Sequence, residues 1–209
     1  MKAPLRVAVC EDSPTYALAL ARMLEADGGL RVVGTYGSGE ELLAALPTLD
    51  ADLVTMDLDL PGMDGVTATE RVMAAGPLPI VVVSGHTARG GRRAAAALAA
   101  GAVDVVHKRD LSLADTHGPA GVSLRRRLRS LGRVVGEAAA DPSPRPPPTL
   151  RGRRAPPLRT TGFRAVGVAA STGGPAALRA LLAALPAEPA LPLLVVQHMT
   201  PGFTAGLVG

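Results

Sequence analysis

Short apolar runs alternate with amphipathic stretches along the first half of the chain. Each run is bounded by polar residues, glycine or proline, which is typical of a buried strand. The stretches between the runs place apolar residues three and four positions apart, which predicts helices. The predicted strands are residues 5–10, 53–56, 80–83 and 103–106, and the predicted helices are 14–26, 39–46, 66–75 and 88–100. This alternation predicts an α/β fold with a doubly wound parallel sheet.

A second, shorter α/β pattern occupies the end of the chain. Residues 165–170 and 193–197 are apolar runs, and residues 175–185 between them have a helical pattern. A strand–helix–strand unit of this kind is parallel with a right-handed crossover, so both strands end at the same edge of the sheet. We therefore predict the first βαβ portion of a second, Rossmann-like α/β domain.

The segment that joins the two units is strongly basic. Residues 1–110 carry 10 Lys and Arg against 14 Asp and Glu, whereas residues 111–165 carry 11 Arg against 3 acidic residues. Residues 122–140 place leucines at helical spacing among the arginines, which predicts the last helix of the first unit extending into a linker. Residues 141–157 contain 7 prolines and are predicted to form an extended spacer.

The basic connector alone does not define a nucleic-acid-binding protein. Arginine clusters bind nucleic acid weakly and without sequence preference. A DNA-reading output would need a helix-turn-helix after the linker, where the sequence instead predicts strand, turn, helix and strand. We therefore expect no nucleic-acid partner, and nucleic-acid binding ranks third among the alternatives.

Chemically active side chains follow the predicted strands of the first unit. Glu11 and Asp12 follow the first strand, Asp57 the second, Ser84 the third and Lys108 the fourth. These side chains converge because parallel strands end at one edge of the sheet. Three carboxylates forced together repel one another, so the site needs a divalent cation, and Mg²⁺ fits as a hard ion that accepts carboxylates and phosphate oxygens. Asp57 can then attack a phosphoryl group, while Lys108 and Ser84 meet the transferred oxygens.

This constellation resembles the receiver domain of response regulators over roughly residues 4–135. The resemblance implies that the parallel sheet is of the flavodoxin-like type. The resemblance implies that Asp57 is the phosphoacceptor and that Glu11 and Asp12 form an acidic Mg²⁺ pocket. It also implies that the main-chain carbonyl of Asp59 completes the metal ligands supplied by the protein.

Two positions depart from the receiver pattern. Arg109 follows the lysine where a proline is usual, and Val105 stands three positions before the lysine where an aromatic switch residue is usual. A valine cannot make the rotamer switch of a tyrosine or phenylalanine. The departures therefore concern how phosphorylation is communicated, and the phosphorylation chemistry itself is not touched.

A serine and a histidine follow the two strands of the second unit. Ser171 begins the glycine-rich turn after residues 165–170, and His198 follows residues 193–197. A serine hydroxyl needs a base within hydrogen-bond reach, and a helix N-terminus offers free N–H groups to an oxyanion. The alternative for the turn alone is an ordinary glycine-rich strand-to-helix connection, with or without a bound phosphate. The histidine after the neighbouring strand favours a nucleophile and its base.

Three stretches near the end of the chain closely resemble the catalytic domain of chemotaxis protein-glutamate methylesterases. They are VGVAASTGGP over residues 166–175, VVQHM over 195–199 and PGFT over 201–204. The resemblance implies that Ser171 is the nucleophile, that His198 is its base and that a backbone N–H near Thr172 helps to bind the oxyanion. The implied reaction is hydrolysis of glutamate methyl esters on chemoreceptors, often with deamidation of receptor glutamines. The implied partners are these chemoreceptors and a chemotaxis histidine kinase, and no cofactor is implied for the esterase part.

The third triad member of this family, an aspartate in a glycine-rich segment far downstream, has no counterpart before Gly209. Loss of a triad acid costs about 10⁴-fold in rate. Residues 165–209 also supply only about two strands and one helix, which leaves the faces of a parallel sheet uncovered. We therefore expect a C-terminally truncated chain, in which the esterase domain is incomplete.

The predicted organisation is a receiver over residues 1–135, a linker over 136–163 and the N-terminal part of a methylesterase domain over 164–209. We expect a phosphorylation-regulated methylesterase; the alternative is a phosphorylation-dependent binding module whose output is inactive in this chain. No apolar run approaches the ~18 residues of a membrane span, and the N-terminus runs directly into a strand without a signal peptide. With one cysteine, Cys10, these features predict a cytoplasmic protein that does not insert into membranes.

Overall fold

The computed structural model describes residues 3–76, 78–85, 89–140, 163–170, 174–186 and 189–197. Its first unit alternates strands and helices as the sequence predicts. The elements are β1 (Leu5–Cys10), α1 (Pro14–Glu25), β2 (Leu30–Tyr36), α2 (Gly39–Ala45), β3 (Leu53–Met56), α3 (Gly65–Ala75), β4 (Ile80–Ser84), α4 (Arg89–Ala99), β5 (Asp104–His107) and α5 (Pro119–Ala140). Two single 3₁₀ turns, Leu46–Thr48 and Lys108–Asp110, follow α2 and β5.

The five strands form one parallel sheet in the order β2-β1-β3-β4-β5. Helices α2, α3 and α4 pack on one face, through buried residues such as Leu42, Val72 and Leu98. Helices α1 and α5 pack on the other face, through residues such as Leu20 and Leu128. Both faces are therefore covered, as a parallel sheet requires, and the flavodoxin-like α/β class is confirmed.

Strand β2 has no counterpart among the predicted elements. It lies at the sheet edge and pairs only with β1, and its burial alternates along the strand. The register with β1 shifts between Val7 and Ala8. An edge strand of this kind keeps polar residues and a glycine among its apolar ones, so the continuous apolar run that marks a central strand is missing.

Helix α5 begins earlier than its leucine pattern indicates. The sequence predicts this helix from residue 122, but the structure has a 3₁₀ turn at Lys108–Asp110 and starts the helix at Pro119. Proline suits the first turn of a helix, where its missing N–H would have had no partner. The guanidinium of Arg125 in α5 is buried and donates to the carbonyls of Met23 and Thr116 and to the carboxylate of Asp27. This helix is thereby fixed against α1.

The second unit consists of β6 (Val166–Ala170), α6 (Gly174–Ala184) and β7 (Leu193–Gln197). The two strands are parallel and in register, with Val166 opposite Leu193 and Ala170 opposite Gln197. Their side chains are mostly uncovered, since none of the ten strand residues is buried. Across the described part of the chain, no helix has both the length and the apolar character needed to cross a membrane.

Candidate functional site

Asp57 lies at the carboxyl end of β3, in the centre of the sheet. The strand places it because β3 is flanked by β1 and β4, and the Asp57 N–H donates to the Cys10 carbonyl at 2.9 Å. Its side chain is only 3% exposed. One carboxylate oxygen, Oδ1, accepts from the Leu58 N–H at 2.7 Å, and the other faces Lys108. The carboxylate is therefore held in one orientation from both sides.

Lys108 joins two acidic residues into a buried ion triad. Its Nζ lies 2.7 Å from Asp57 Oδ2 and 2.9 and 2.7 Å from Glu11 Oε1 and Oε2. Burial alone would lower the pKa of Lys108, but the hydrogen bonds to Asp57 and Glu11 outweigh it and raise that pKa. Burial raises the pKa of Glu11, and the hydrogen bond from Lys108 opposes this only in part. The ammonium therefore stays charged and compensates the two buried carboxylates.

Glu11, Asp12 and Asp57 form a group that can hold a metal ion. Each offers a carboxylate oxygen, and the three oxygens lie within 4.8 Å of one another. Glu11 and Asp57 are buried, whereas Asp12 is exposed. An all-oxygen donor set that opens to solvent on one side suits a hard divalent cation that retains several waters. The residues present thus fit the cation that the sequence predicts.

Ser84 ends β4 next to the carboxylates. It is 2% exposed, and its buried Oγ has no hydrogen-bond partner among the described residues. A buried hydroxyl without a partner is costly, so such groups commonly serve a ligand. Strand β4 lies beside β3 and β5, the strands that end at Asp57 and Lys108. The structure therefore brings Glu11, Asp12, Asp57, Ser84 and Lys108 to one sheet edge.

The loop after Asp57 is fixed by close packing and by a helix cap. A Cβ at Gly65 would overlap the Asp57 carbonyl oxygen, so only glycine allows α3 to start this close to the strand end. Asp64 caps α3 by accepting from the Val66 and Thr67 N–H groups at 2.9 and 3.1 Å. These bonds outweigh partial burial and lower the pKa of Asp64, so the cap stays ionised near neutral pH.

The carboxylate of Asp59 forms an ion pair that the sequence pattern does not predict. Arg93 of α4 pairs with this carboxylate and also donates to the Leu58 carbonyl. The backbone of Asp59, whose carbonyl is the predicted metal ligand, belongs to the loop that follows Asp57. The only signal for Arg93 in the sequence is an arginine on a predicted helix, which most often marks a solvated face.

Tyr16 is a second residue that the sequence reasoning missed. It lies in the first turn of α1, with its ring centroid 4.5 Å from Lys108 Nζ. Burial first, and then the charges of Glu11 and Asp57, raise the pKa of Tyr16, so its phenol stays protonated at neutral pH. Burial likewise raises the pKa of Cys10 to about 12, which leaves this cysteine an unreactive thiol.

The two positions that depart from the receiver pattern differ in their surroundings. Val105 is 5% exposed and packs in the core cluster to which α3 and α4 contribute. Arg109 is exposed on the 3₁₀ turn after β5. The backbone that carries Lys108 is thus formed without the proline.

Of the second candidate site, the structure describes the supporting strands. Ser171, Thr172 and His198 lie outside the described residues. The paired residues Ala170 and Gln197 directly precede Ser171 and His198 in the sequence. A Cβ at Gly174 would overlap the end of the Gln197 side chain and lie 2.9 Å from the Ala170 Cβ, so α6 starts close to the two strand ends.

Comparison with known proteins defines the class of the first unit. Residues 7–115 match the response regulator receiver domain. The response regulator domain of Thermotoga maritima CheB superposes with a TM-score of 0.51 at 26% identity, covering 63% of this chain and 95% of that domain. The RcsB response regulator of Salmonella typhimurium shares the fold, with a TM-score of 0.54 at 24% identity over 64% of this chain and 62% of that one. The chain belongs to the response regulator receiver family.

Two further comparisons concern the end of the chain and relatives that match along nearly its whole length. Residues 166–209 match the CheB methylesterase family. The chain is 42% identical, over 98% of its length, to protein-glutamate methylesterase/protein-glutamine glutaminase 4 of Myxococcus xanthus, and 36% identical, over 99%, to the corresponding protein of Halalkalibacterium halodurans. It spans 58% of the length of each relative. These matches confirm the resemblance to chemotaxis protein-glutamate methylesterases that the sequence motifs indicate.

Proposed function

We propose that this chain is a phosphorylation-regulated protein-glutamate methylesterase of chemotaxis signalling. Its receiver covers residues 1–135, its linker 136–163 and the N-terminal part of its esterase domain 164–209. The observation that carries the receiver half is the buried triad of Lys108, Asp57 and Glu11 beside the unpartnered Ser84 hydroxyl. The observation that supports the esterase half is the similarity of residues 166–209 to CheB methylesterases.

In the receiver half, the chain's residues prepare Asp57 for phosphoryl transfer. Glu11, Asp12, Asp57 and the main-chain carbonyl of Asp59 would hold Mg²⁺, which neutralises charge on the incoming phosphoryl group when it is bound. The Asp57 carboxylate attacks phosphorus, and the leaving group departs with the electron pair of its bond to phosphorus. Lys108 and the Ser84 hydroxyl then contact the phosphoryl oxygens. The physiological phosphodonor is a chemotaxis histidine kinase.

In the esterase half, Ser171 is the nucleophile toward glutamate methyl esters on chemoreceptors. His198 takes the serine proton and gives it to the methoxide, which leaves as methanol. A backbone N–H near Thr172 stabilises the oxyanion, and water then clears the acyl-enzyme. Attack on a glutamine amide by the same groups would release ammonia. This chemistry uses no cofactor.

Phosphorylation regulates access to the esterase cleft in this proposal. Before phosphorylation the receiver restricts the cleft, and the added phosphoryl charge shifts the receiver's population toward a form that frees it. The protein acts in the cytoplasm on the cytoplasmic parts of the receptors. It needs neither nucleic acid nor membrane insertion for this role.

A second candidate function is a phosphorylation-dependent binding module. It is favoured by the exposure of the second sheet, where Leu194 is 63% and Val196 is 69% exposed. A parallel sheet with uncovered faces is not expected to hold a catalytic pair rigidly. In that case phosphorylation of Asp57 controls a partner's binding, and no ester is hydrolysed by this chain.

Two assays separate the candidates. Phosphate incorporation from acetyl phosphate with Mg²⁺ is expected for the wild-type chain and lost in Asp57→Asn. The matched control Asp50→Asn, whose side chain is 80% exposed at the opposite end of β3, is expected to keep it. Labelling of Asp57→Asn at the wild-type rate would refute the receiver role.

Methanol release from methylated chemoreceptor is the second assay, with Ser171→Ala as its control. Release that depends on Ser171 and rises with acetyl phosphate supports the regulated esterase. Release equal to that of Ser171→Ala, in a chain that still takes phosphate on Asp57, would instead support the binding module.

A further inference from the structure

The environment of Tyr16 contains two features that the proposed phosphorylation chemistry does not use. The ring centroid lies 4.5 Å from Lys108 Nζ, and the Tyr16 hydroxyl is buried with no hydrogen-bond partner among the described residues. Tyr16 is therefore placed by its ring and not by its hydroxyl, since a structural tyrosine that is buried normally bonds through its hydroxyl.

The start of helix α1 sets the position of this ring. Ser13 caps α1 and Pro14 occupies its first turn, directly after Glu11 and Asp12. The Ser13 Oγ accepts from the Tyr16 N–H at 3.4 Å. The ring thus stands on the first turn of a capped helix, and its two side-chain torsions leave it little freedom.

Lys108 is the flexible member of the pair. Its side chain ends in an ammonium with three donors on a four-carbon stem, and that side chain is 19% exposed. The Lys108 ammonium donates hydrogen bonds to the carboxylates of Asp57 and Glu11. The ring face of Tyr16 gives the ammonium a further contact, a cation–π interaction that gains strength where water is excluded.

We propose that Tyr16 is a positioning residue for phosphoryl transfer, whose ring holds the Lys108 ammonium at the phosphorylation site. This inference rests on the proposed phosphorylation of Asp57. In the reaction with acetyl phosphate, an Asp57 oxygen forms a bond to phosphorus and acetate leaves with the electron pair of the broken P–O bond. Lys108 moves from the carboxylate to a phosphoryl oxygen, and its ammonium shifts across the ring face while it stays in contact with the ring.

The ring and the hydroxyl of Tyr16 can be tested separately. Tyr16→Phe keeps the ring and removes an unpartnered polar group, so we expect labelling of Asp57 within about twofold of the wild-type rate. Tyr16→Leu removes the ring face and is expected to slow labelling about five- to thirty-fold. Leu18→Ala serves as the matched control, because Leu18 lies on the same helix and is 55% exposed.

A spectroscopic measurement tests the same contact without removing Tyr16. The chain has no tryptophan and two tyrosines, Tyr16 and Tyr36. In a Tyr36→Phe chain, Tyr16 is the only emitter, and its emission is expected to change with the time course of phosphate incorporation as the ammonium moves over the ring. A ring that serves only to fill space would give no such change.

The outcomes separate this inference from the proposed function. Failure of the wild-type chain to take phosphate on Asp57 would overturn both. Normal labelling of the wild-type chain and of a folded Tyr16→Leu variant would overturn only the role of Tyr16. If Tyr16→Leu does not fold, constant emission of the Tyr36→Phe chain during labelling would overturn it instead.

Discussion

The two parallel sheets of this chain are built from similar apolar strands but differ in how far these strands are buried. Every residue of β3 and β4 is buried, whereas no residue of β6 and β7 is. The first sheet has helices on both faces. Within the described residues of the second unit, α6 is the one helix that accompanies its sheet. An apolar pattern therefore predicts a strand, while its stability depends on what covers both faces.

The same difference decides where charged groups can be used. In the first unit, a closed core holds Asp57 at 3% and Glu11 at 5% exposure, close to the compensating ammonium of Lys108. These two carboxylates are shielded from water, so each acts strongly on the Lys108 ammonium. A catalytic pair at the end of β6 and β7 would need a comparable cover to be held with the same precision.

The largest expected contrast between the two sheets is in hydrogen exchange. Amides of β3 are expected to exchange only on global unfolding, which for a domain of this kind costs about 5–15 kcal/mol. Amides of β6 are expected to exchange at least about 100-fold faster, because exposed strands open locally. Mass-spectrometric exchange on the 209-residue chain measures both peptides at once. Equal protection of the two strands would mean that the second sheet is as well covered as the first.

A matched pair of leucine substitutions tests the contrast through side chains. Leu128 of α5 is fully buried and Leu182 of α6 is 51% exposed. We expect Leu128→Ala to lower the free energy of unfolding by about 2–5 kcal/mol, because it leaves a cavity in the core. Leu182→Ala is expected to change it by less than about 0.5 kcal/mol. Urea unfolding followed by circular dichroism measures both, and similar losses from the two variants would contradict the difference in cover.

The sequence predicts the first unit well because its central strands are short runs in which most residues are apolar. The predicted ends of these strands define one edge of the sheet. Asp57, Ser84 and Lys108 are predicted at that edge because they lie at or just after the strand ends. Strand β2 is missed because an edge strand interrupts its apolar residues with Arg31 and Gly34. Its place in the sheet follows from pairing with β1, which no local pattern records.

Contacts between distant side chains are the part that the sequence does not predict. Tyr16 and Lys108 are far apart in the chain, as are Asp59 and Arg93. Arg125 looks like one charge of a basic connector, yet its guanidinium is buried against α1. Such contacts depend on helix rotation and side-chain torsions, which the hydrophobic pattern leaves open. The roles of Ser171 and His198 stay predictions.

The charge balance between Lys108 and the buried carboxylates of Asp57 and Glu11 can be tested by substitution of the lysine. Lys108→Met removes the ammonium and leaves two buried carboxylates facing each other, so we expect a loss of about 3 kcal/mol in Mg²⁺-free buffer. Because a cation at the acidic group replaces the missing charge, Mg²⁺ is expected to recover part of this loss. Urea unfolding with and without Mg²⁺ measures the effect.

Arg109→Met is the matched control for this experiment, since Arg109 is the next residue in the chain and is exposed. It is expected to change the free energy of unfolding by less than about 0.5 kcal/mol, with no added response to Mg²⁺. If Lys108→Met and Arg109→Met behave alike, the ion triad contributes nothing to the stability of the closed unit.

The smallest expected effect lies at the opposite edge of the first sheet, away from the phosphorylation site. Asp52 accepts from the Arg6 N–H at 2.7 Å and from Arg6 Nη2 at 2.8 Å. The side-chain hydrogen bond from Arg6 is the main cause that lowers the pKa of Asp52. A carboxyl with a lowered pKa in the folded state stabilises the fold above the unfolded value, about 3.9. This contribution is lost as the pH falls from there through the lowered pKa.

Asp52→Asn is therefore expected to cost about 1 kcal/mol at pH 7, and less at an acidic pH below the unfolded value of about 3.9, where wild-type Asp52 loses its own charge. Urea unfolding of both chains at the two pH values measures the difference. Asp50→Asn is the control, because that carboxylate is 80% exposed and solvent screens its ion pair with Arg6. A cost for Asp52→Asn that does not change with pH would mean that the shape of the side chain, and not its charge, holds β1 to the start of β3.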